Sequence, residues 1–201
     1  MKVVSAVLFD LYDTLIRLSR DGHPYMQLCR KTSCRSRLRD SMIVEAPTLL
    51  DFCAYLDVKP PDDISKLQAV LEADIRSAVT FPDAVSTLRA LKEKNIRIAV
   101  VSNVATPYKS AFYNLGLDQF VDVAIFSCEV GIAKPDRGIY EAALSSLGID
   151  GRDTIMIGDS LRSDVVGPSA SGIRGILIDR RKDSSNEDAI NSLKGVERLL
   201  F

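Results

Sequence analysis

Five short apolar runs alternate with helical patterns along most of this chain. The runs lie at about 3–10, 96–101, 121–127, 154–158 and 174–179. Continuous apolar runs of this length are typical of strands that are buried on both faces of a sheet. Apolar residues between the later runs recur at helical spacing, and several of these patterns stop at a glycine: Gly116, Gly148 and Gly172. The alternation therefore predicts an α/β fold with a doubly wound parallel sheet.

Residues 17–80 interrupt this alternation. The region contains no convincing strand, and its apolar residues fall at helical spacing on either side of Lys59-Pro60-Pro61. We therefore expect a helical insert that follows the first strand. The predicted organisation is a core formed by residues 1–16 and 81–201, with a small helical domain at residues 17–80.

The first apolar run ends abruptly at a carboxylate. Phe9 precedes Asp10, and turn-forming residues follow as far as Thr14. Ligands of open α/β sheets bind just beyond the carboxyl ends of the strands. Asp10 is therefore placed to act as a nucleophile or a metal ligand in a cleft. This stretch alone is equally compatible with an aspartate that caps the following turn.

Three later segments bring further polar groups to strand ends or loops. The second strand-like run ends at Ser102 and Asn103. Lys134 precedes a proline and a helical pattern, and a later run ends at Asp159, with Asp164 five residues further on. Carboxylates, a hydroxyl and an ammonium at such positions suit Mg²⁺-assisted chemistry on a phosphoryl group. A surface lysine and a loop aspartate are the alternative interpretations of Lys134 and Asp159.

In this order and spacing, the four segments resemble the four signature motifs of the haloacid dehalogenase (HAD) superfamily. The resemblance covers nearly the whole core, including the stretch from Phe81-Pro82-Asp83 through Leu115-Gly116-Leu117 to Glu129-Val130-Gly131. It implies a Rossmann-like hydrolase core. In one subgroup of the superfamily, a cap that covers the active site and selects substrates is inserted after the first motif, and the helical region 17–80 lies at that place.

The resemblance implies a role for each residue at a motif position. Asp10 would attack phosphorus and form an aspartyl-phosphate that water then hydrolyses, so that one difficult displacement is divided into two. Ser102 would hydrogen-bond a phosphoryl oxygen, and Asn103 would assist it or hold the loop. Lys134 would place a positive charge beside Asp10 and the transferring group. Thr14 would steady the first loop.

The same resemblance implies a magnesium site. Mg²⁺ prefers about six oxygen ligands, supplied by one or two carboxylates, waters and a substrate phosphate. Asp10 and Asp159 are the expected carboxylate ligands, and the main-chain carbonyl of Tyr12 is the expected third protein ligand. Asp164 would bind directly or through a metal-bound water. The expected substrate-binding set, beyond the catalytic residues, is Asn103, Thr14 and Tyr12.

Tyr12 departs from the usual pattern of the superfamily. Most of its phosphatases carry an aspartate two residues after the nucleophile, which protonates the leaving alcohol and later activates water. A phenol with an unperturbed pKa of about 10 is a poor base at neutral pH, and loss of a well-placed acid or base costs roughly 10²–10⁴ in rate. Asp13 follows, but adjacent side chains on an extended segment point in opposite directions. We therefore do not expect Asp13 to take over unless the turn is unusual.

Two other functions stay open beside a Mg²⁺-dependent phosphatase. Haloacid dehalogenases of the superfamily also place a tyrosine at the position of Tyr12, which favours a 2-haloacid dehalogenase. Those dehalogenases use no metal, whereas Asp159 and Asp164 retain both metal-site carboxylates, and Asp159 would repel a haloacid. A catalytically weak binding or regulatory protein is the third hypothesis. A phosphatase that acts on a small phosphorylated metabolite is the interpretation we favour.

Composition limits the classes of partner. The 26 basic and 27 acidic residues balance, which argues against nucleic-acid binding. No apolar run approaches the roughly 20 residues that span a bilayer. Four cysteines without a CxxC pair favour reduced thiols in a cytoplasmic protein, which we expect to be a monomer or homodimer. The basic run at 30–39 is interpreted as a solvated helix face or, alternatively, as a contact for an anionic substrate or partner. The single histidine, His23, is expected in a surface loop.

Overall fold

Strands and helices alternate along the chain as the sequence predicts. The computed structural model describes residues 4–180, 189–194 and 196–200. The strands are β1 (Ala6–Phe9), β2 (Ile16–Leu18), β3 (Ala78–Thr80), β4 (Arg97–Ser102), β5 (Val123–Phe126), β6 (Thr154–Gly158) and β7 (Arg174–Leu177). The α-helices are α1 (Pro24–Lys31), α2 (Leu49–Leu56), α3 (Ile64–Arg76), α4 (Ala84–Glu93), α5 (Ser110–Asn114), α6 (Ser127–Val130) and α7 (Arg137–Leu147). Short 3₁₀ segments occupy Arg35–Met42, Thr106–Lys109, Leu117–Phe120, Gly151–Asp153, Gly167–Ser171 and Val196–Leu199, and Leu161–Val166 forms a π-helical segment.

Five of these strands form one parallel sheet in the order β5-β4-β1-β6-β7. Because β1 lies at the centre, the chain reaches one edge through β4 and β5 and the other edge through β6 and β7. The winding direction changes at β1, which is the kind of switch point where open α/β sheets bind ligands. The predicted doubly wound sheet is confirmed, and all five predicted strands are present.

Alternate side chains of β1 enter two separate apolar cores. Val7 and Phe9 pack on one face of the sheet with residues of α4 and α5, whereas Ala6 and Leu8 pack on the other face with α7. All four residues are fully buried, because successive side chains on a strand point to opposite faces. Helices on both faces explain why this strand is a continuous apolar run in the sequence.

A helical insert with its own apolar core lies between β2 and β3. Its helices α1, α2 and α3 enclose Leu28, Phe52 and Leu71, which are fully buried. Thr48 begins α2 with a capping box, in which its hydroxyl accepts from the Asp51 N–H and the Asp51 carboxylate accepts from the Thr48 N–H. The helices predicted for this region are present, and the domain boundaries near residues 17 and 80 stay a prediction.

The expectation of no strand within residues 17–80 is wrong. The three residues of β2 pair antiparallel with the three residues of β3, so the insert begins and ends in a short two-stranded ribbon. Three residues are too few to show the period-two pattern by which a strand is recognised in a sequence. The ribbon brings the two connections between core and insert side by side.

Helix ends, the single histidine and the four cysteines show further local features. Positive φ angles occur at the glycines that follow helical segments, Gly116, Gly148 and Gly172. His23 is exposed and immediately precedes α1. The four cysteines are free thiols with buried side chains. None of the helices in the described ranges has the length and apolar character needed to cross a membrane.

Candidate active site

Three neighbouring strands end at one pocket. Asp10 follows β1, Ser102 ends β4 and Asp159 follows β6, and β1 lies between the other two strands. Since parallel strands share one carboxyl edge, their alignment brings these three residues together. The pocket, which we call the reaction pocket, has a volume of about 220 Å³ and is also lined by Tyr12, Asp13, Asn103, Lys134, Ser160, Ser163 and Asp164.

Asp10, Asp159 and Asp164 form an acidic triad in the reaction pocket. One carboxylate oxygen of each residue lies within 4.8 Å of the corresponding oxygens of the other two. This separation is close to the distance of about 4.2 Å between opposite ligands of one Mg²⁺ ion. Asp10 and Asp164 are buried and Asp159 is exposed. Carboxylate oxygens are hard ligands that suit a hard divalent cation, so the triad fits the predicted magnesium site.

Lys134 supplies a positive charge inside this triad. Its Nζ lies 2.6 Å from Asp10 Oδ1 and 2.7 Å from Asp164 Oδ1. The Lys134 side chain is only 2% exposed, so water screens these ion pairs less than it screens pairs on the surface. Burial by itself would lower the pKa of Lys134, but the attraction of the two carboxylates outweighs it and raises the pKa. The ammonium group therefore stays charged.

The Asp164 carboxylate is fixed by its own loop. Its Oδ2 accepts a hydrogen bond from the Ser160 N–H at 3.0 Å, and its Oδ1 accepts one from Lys134. The carboxylate lies directly against Gly158, where a Cβ would stand 2.3 Å from Asp164 Cγ. Only glycine leaves room for this close approach at the end of β6. Both oxygens of Asp164 are thus engaged within the protein.

Asn103 holds the backbone of Lys134. Its Nδ2 donates to the Lys134 carbonyl at 2.9 Å, and its Oδ1 accepts from the Lys134 N–H at 2.7 Å. Two roles were considered for Asn103, holding the loop and assisting Ser102, and the structure favours the first. Its side chain retains only one amide hydrogen for donation to a substrate. Ser102 is 1% exposed and lines the reaction pocket, and its hydrogen bond to a phosphoryl oxygen stays a prediction.

The Tyr12 hydroxyl is engaged with the protein backbone. It donates to the Tyr108 carbonyl at 2.9 Å, and the two rings meet edge to face with centroids 6.0 Å apart. Burial raises the pKa of Tyr12 above its ordinary value, so the phenol stays protonated. The Tyr108 hydroxyl in turn donates to Asp74 of α3 at 3.3 Å. Tyr12 therefore links the loop after β1 to the helical insert.

The geometry agrees with a comparison of the sequence against protein-family models. The model for haloacid dehalogenase-like hydrolases matches residues 4–172. The chain belongs to the haloacid dehalogenase-like hydrolase family. The matched range includes the acidic triad and Lys134, so the resemblance seen in the four motifs is confirmed.

The relatives and solved structures that this HAD-like hydrolase resembles include proteins named as phosphatases and as a dehalogenase. A phosphoserine phosphatase from Thermus thermophilus is 32% identical over 79 residues, which is 39% of this chain and 32% of that protein. The chain spans about a third of the length of the curated relatives it matches. A HAD phosphatase from Thermococcus onnurineus has a TM-score of 0.69 at 23% identity, covering 98% of this chain and 97% of that one. A dehalogenase solved with an intermediate complex has a TM-score of 0.71 at 20% identity, with 100% and 98% covered. At these identities the two structures show a shared fold.

The structure corrects the expectation for Asp13 of this hydrolase. Its φ is 58°, in the left-handed region that aspartate tolerates better than most residues. The segment after Asp10 is therefore not extended, and Asp13 lines the reaction pocket together with Asp159. Burial, with a smaller contribution from Asp21, raises the pKa of Asp13. The turn is thus of the unusual kind that brings this carboxylate to the site.

The structure does not support a direct substrate contact by Thr14. The residue is fully buried and does not line the reaction pocket, and its Oγ1 has no hydrogen-bond partner among the described residues. Its carbonyl accepts a hydrogen bond from Arg180 Nη2 at 2.5 Å. The loop after β1 is therefore held through its backbone. The residue that holds it, Arg180, is not part of any motif recognised in the sequence.

Arg180 ties this loop to the rest of the core. Its Nη1 lies 2.8 Å from Asp83 Oδ2, and its guanidinium lies over the Phe81 ring at 4.1 Å from the centroid. Asp83, which begins α4, also accepts hydrogen bonds from Ser192 and Leu193. Arg180 is 166 positions away from the carbonyl that it binds, and no spacing rule connects residues so distant in sequence.

Even with Lys134 beside it, the acidic triad is electrostatically unfavourable in the absence of a metal ion. Burial raises the pKa of Asp10 to about 7 against the attraction of Lys134, and repulsion from Asp164 adds to the increase. Asp159 is exposed at the surface but partly desolvated in the pocket, and this partial desolvation, with repulsion from Asp164 and Asp13, raises its pKa to about 6. A bound divalent cation would favour the ionised forms of both groups. The electrostatics thus agree with a donor set that could hold a divalent cation.

We expect the metal-free protein to lose stability as the pH rises from about 5 to about 8. Because the folded protein holds protons at Asp10 and Asp159 more tightly than the unfolded chain does, raising the pH through the folded pKa values removes stability. Mg²⁺ should offset the loss by binding the ionised carboxylates. Thermal unfolding in EDTA and in Mg²⁺ measures both effects, since each kcal/mol shifts the Tm of a chain of this size by about 2–4 °C.

Two variants control this measurement. Asp159→Asn is expected to flatten the pH dependence and to weaken the stabilisation by Mg²⁺. Asp118→Asn, at an exposed aspartate in the 3₁₀ segment Leu117–Phe120, should change neither. Equal Tm values in EDTA and in millimolar Mg²⁺ at about pH 8 would contradict the proposed cation site.

Proposed function

We propose that this chain is a Mg²⁺-dependent phosphatase that acts on a small phosphorylated metabolite through an aspartyl-phosphate on Asp10. The observation that carries the proposal is the buried ammonium of Lys134 among three carboxylates at the carboxyl edge of the sheet. Burying charged groups is costly unless they are paired or bind a metal, so such a cluster points to a reaction site. Several curated relatives are named as phosphatases, which supports the same reaction class.

Asp10 is the nucleophile of the proposed reaction. Its carboxylate oxygen forms a bond to phosphorus while the bond from phosphorus to the leaving oxygen breaks, and water then attacks phosphorus and restores the carboxylate. Lys134 orients the attacking carboxylate and offsets the negative charge of the transferring group. Ser102 donates its hydroxyl hydrogen to a phosphoryl oxygen, and Asn103 keeps the Lys134 backbone in place.

Asp10, Asp159 and the carbonyl of Tyr12 would hold the magnesium ion. Asp164 would act through a metal-bound water, because both its oxygens already accept hydrogen bonds from the protein. The ion supplies the positive charge that allows an anionic phosphate to approach anionic carboxylates. A cytoplasmic location and a monomeric or homodimeric state stay predictions from the sequence.

Asp13 is the proposed acid and base for the leaving group. It is the carboxylate outside the triad among the described residues that line the reaction pocket. Tyr12 is unsuited to this role, because its proton is donated to a carbonyl and its pKa is raised. Asp13 would protonate the departing alkoxide and then accept a proton from the attacking water.

The leaving group decides how large an effect the Asp13→Asn variant should have. With alkyl phosphates we expect kcat/KM, which reports on formation of the aspartyl-phosphate and not on its hydrolysis, to fall about 10²-fold or more, since an alkoxide needs a proton to depart. With p-nitrophenyl phosphate, whose leaving group departs as an anion, we expect a much smaller loss. Tyr12→Phe, which keeps the ring and removes the hydroxyl, should change neither rate by more than a few-fold. Equal losses on both substrates in Asp13→Asn would show that Asp13 does not protonate the leaving group.

A substrate screen tests the proposed function as a whole. Wild-type protein should release phosphate from at least one phosphomonoester or acyl phosphate in Mg²⁺ and lose this activity in EDTA, with Asp10→Asn as the background. Chloride release from 2-chloropropionate in EDTA would instead indicate the dehalogenase that Tyr12 suggests. If no substrate gives Asp10-dependent phosphate release, the phosphatase proposal fails, and a binding or regulatory protein becomes the better interpretation.

A further inference from the structure

A second and larger cavity adjoins the reaction pocket. It has a volume of about 680 Å³ and is lined by the helical insert on one side and by loops of the core on the other. Its wall contains Arg39 of the insert and Arg162, which lies in the π-helical segment after β6. Asn103, Lys134 and Ser163 line both cavities. We call the larger cavity the arginine cleft.

The two arginines of this cleft have no ion-pair partner in the described part of the chain. No carboxylate oxygen there lies within 4.0 Å of a nitrogen of Arg39 or Arg162. By contrast Arg37, which belongs to the same basic run as Arg39, pairs with Asp40 at 2.9 Å. The planar guanidinium group binds carboxylate and phosphate oxygens in pairs. Both arginines are therefore free to bind the anionic group of a ligand.

The arginine cleft and the reaction pocket differ in the charge of the residues that line them. Among the described residues, four aspartates and one lysine line the reaction pocket. Of the same residues, the two arginines and the shared lysine line the arginine cleft with a single carboxylate, that of Asp136, which accepts a hydrogen bond from the Gly138 N–H at the start of α7. An anionic group of a ligand is therefore attracted to the cleft and repelled by the aspartates beside it.

We propose that the arginine cleft binds a second anionic group, a carboxylate or a second phosphate, at the far end of the phosphorylated substrate. The inference rests on the proposed phosphatase function, which places the reacting phosphoryl group at Asp10. Apolar side chains of Met42, Ile43 and Ile132 also line the cleft, and they suit the carbon skeleton between the two anionic groups. The substrate class is thus a phosphomonoester with an anionic tail.

Paired substrates test the proposal directly. 3-Phosphoglycerate and glycerol 3-phosphate have the same length and differ in a carboxylate at the tail. Fructose 1,6-bisphosphate and fructose 1-phosphate differ in a second phosphate. We expect kcat/KM to be about 10-fold or more higher for the substrate with the anionic tail in at least one pair, and the pair that shows the preference identifies the anion.

Arginine variants connect the preference to this cleft. Arg39→Ala and Arg162→Ala are each expected to raise KM for the preferred substrate about 10-fold, with little change in kcat or in the KM of the counterpart that lacks the anionic tail. Arg35→Ala is the matched control, because Arg35 is an exposed arginine of the same 3₁₀ segment as Arg39 and does not line the cleft. Equal kcat/KM values within both pairs, or equal losses on both members of a pair, would overturn the proposal.

Binding measurements separate this inference from the proposed function. If no phosphomonoester is hydrolysed, calorimetric titration of the Asp10→Asn protein with 3-phosphoglycerate and with fructose 1,6-bisphosphate still reports on the cleft. Binding of either ligand that weakens about 10-fold when Arg39→Ala or Arg162→Ala is added would support an anion site without hydrolysis. Absence of any arginine-dependent binding would overturn the inference, whatever the outcome for phosphate release.

Discussion

The Asp10→Asn variant is expected to lose hydrolytic activity by about 10⁴-fold or more, since removal of a catalytic nucleophile eliminates the covalent step. An amide of the same shape cannot form the bond to phosphorus. Lys134 keeps its ion pair with Asp164 at 2.7 Å, so the pocket should retain its shape. Phosphate release from the best substrate of the screen, measured beside wild type at equal concentration, gives the size of the loss.

The same variant should unfold at a higher temperature than wild type in EDTA at about pH 8. Burial raises the pKa of Asp10 to about 7, so ionised Asp10 destabilises the metal-free folded state at this pH and neutral asparagine does not. Each kcal/mol that is regained raises the Tm by about 2–4 °C. Asp118→Asn is the control, because this exposed aspartate lies outside the reaction pocket. Wild-type turnover in Asp10→Asn would show that Asp10 is not the nucleophile. A Tm lower than that of wild type would show that ionised Asp10 does not destabilise the metal-free folded state.

The fold could be predicted from the sequence because its central strands are buried on both faces. β1, β4 and β6 are continuous apolar runs, and their alternation with helices leaves few possible topologies. The ribbon of β2 and β3 escaped prediction because neither strand is longer than three residues. A pairing of this length is decided by tertiary contacts and not by local pattern.

The site residues that lie at the ends of strands could be predicted from the sequence. Asp10, Ser102 and Asp159 each lie at the carboxyl end of a strand, a position that a sequence reveals when the strand does. The direction of a side chain in the following loop is not revealed in this way. Asp13 lines the pocket because its φ is positive, and Tyr12 is held by Tyr108, which is 96 positions away.

The basic run at 30–39 shows a similar limit. Lys31 pairs with Asp63, and Arg37 pairs with Asp40, in exposed or partly exposed positions, as the interpretation of a solvated surface predicts. Arg39 of the same run lines the arginine cleft. Much of the run lies in a 3₁₀ segment and not in an α-helix, so helical periodicity could not separate the residue that faces the cleft from those that face solvent.

The Lys134→Met variant is expected to be both inactive and unstable. Methionine keeps the length and apolar stem of lysine but leaves the carboxylates of Asp10 and Asp164 without the ammonium that lies 2.6 and 2.7 Å from them. Removing one partner of a buried ion pair costs about 3–5 kcal/mol, which corresponds to a Tm lowered by roughly 6–20 °C. Loss of a fixed charge beside the transferring group should lower kcat about 10²–10³-fold.

The pH dependence distinguishes lost electrostatics from lost packing in Lys134→Met. Protonation of one buried carboxylate relieves the repulsion between Asp10 and Asp164, so the Tm difference from wild type should be smaller at about pH 5 than at about pH 8. Lys31→Met is the matched control, because the ion pair of Lys31 with Asp63 is exposed and such pairs contribute at most about 1 kcal/mol. If the Tm difference between Lys134→Met and wild type is the same at both pH values, the destabilisation results from lost packing. If this difference is no larger than that of Lys31→Met, the ion pairs of Lys134 do not stabilise the site.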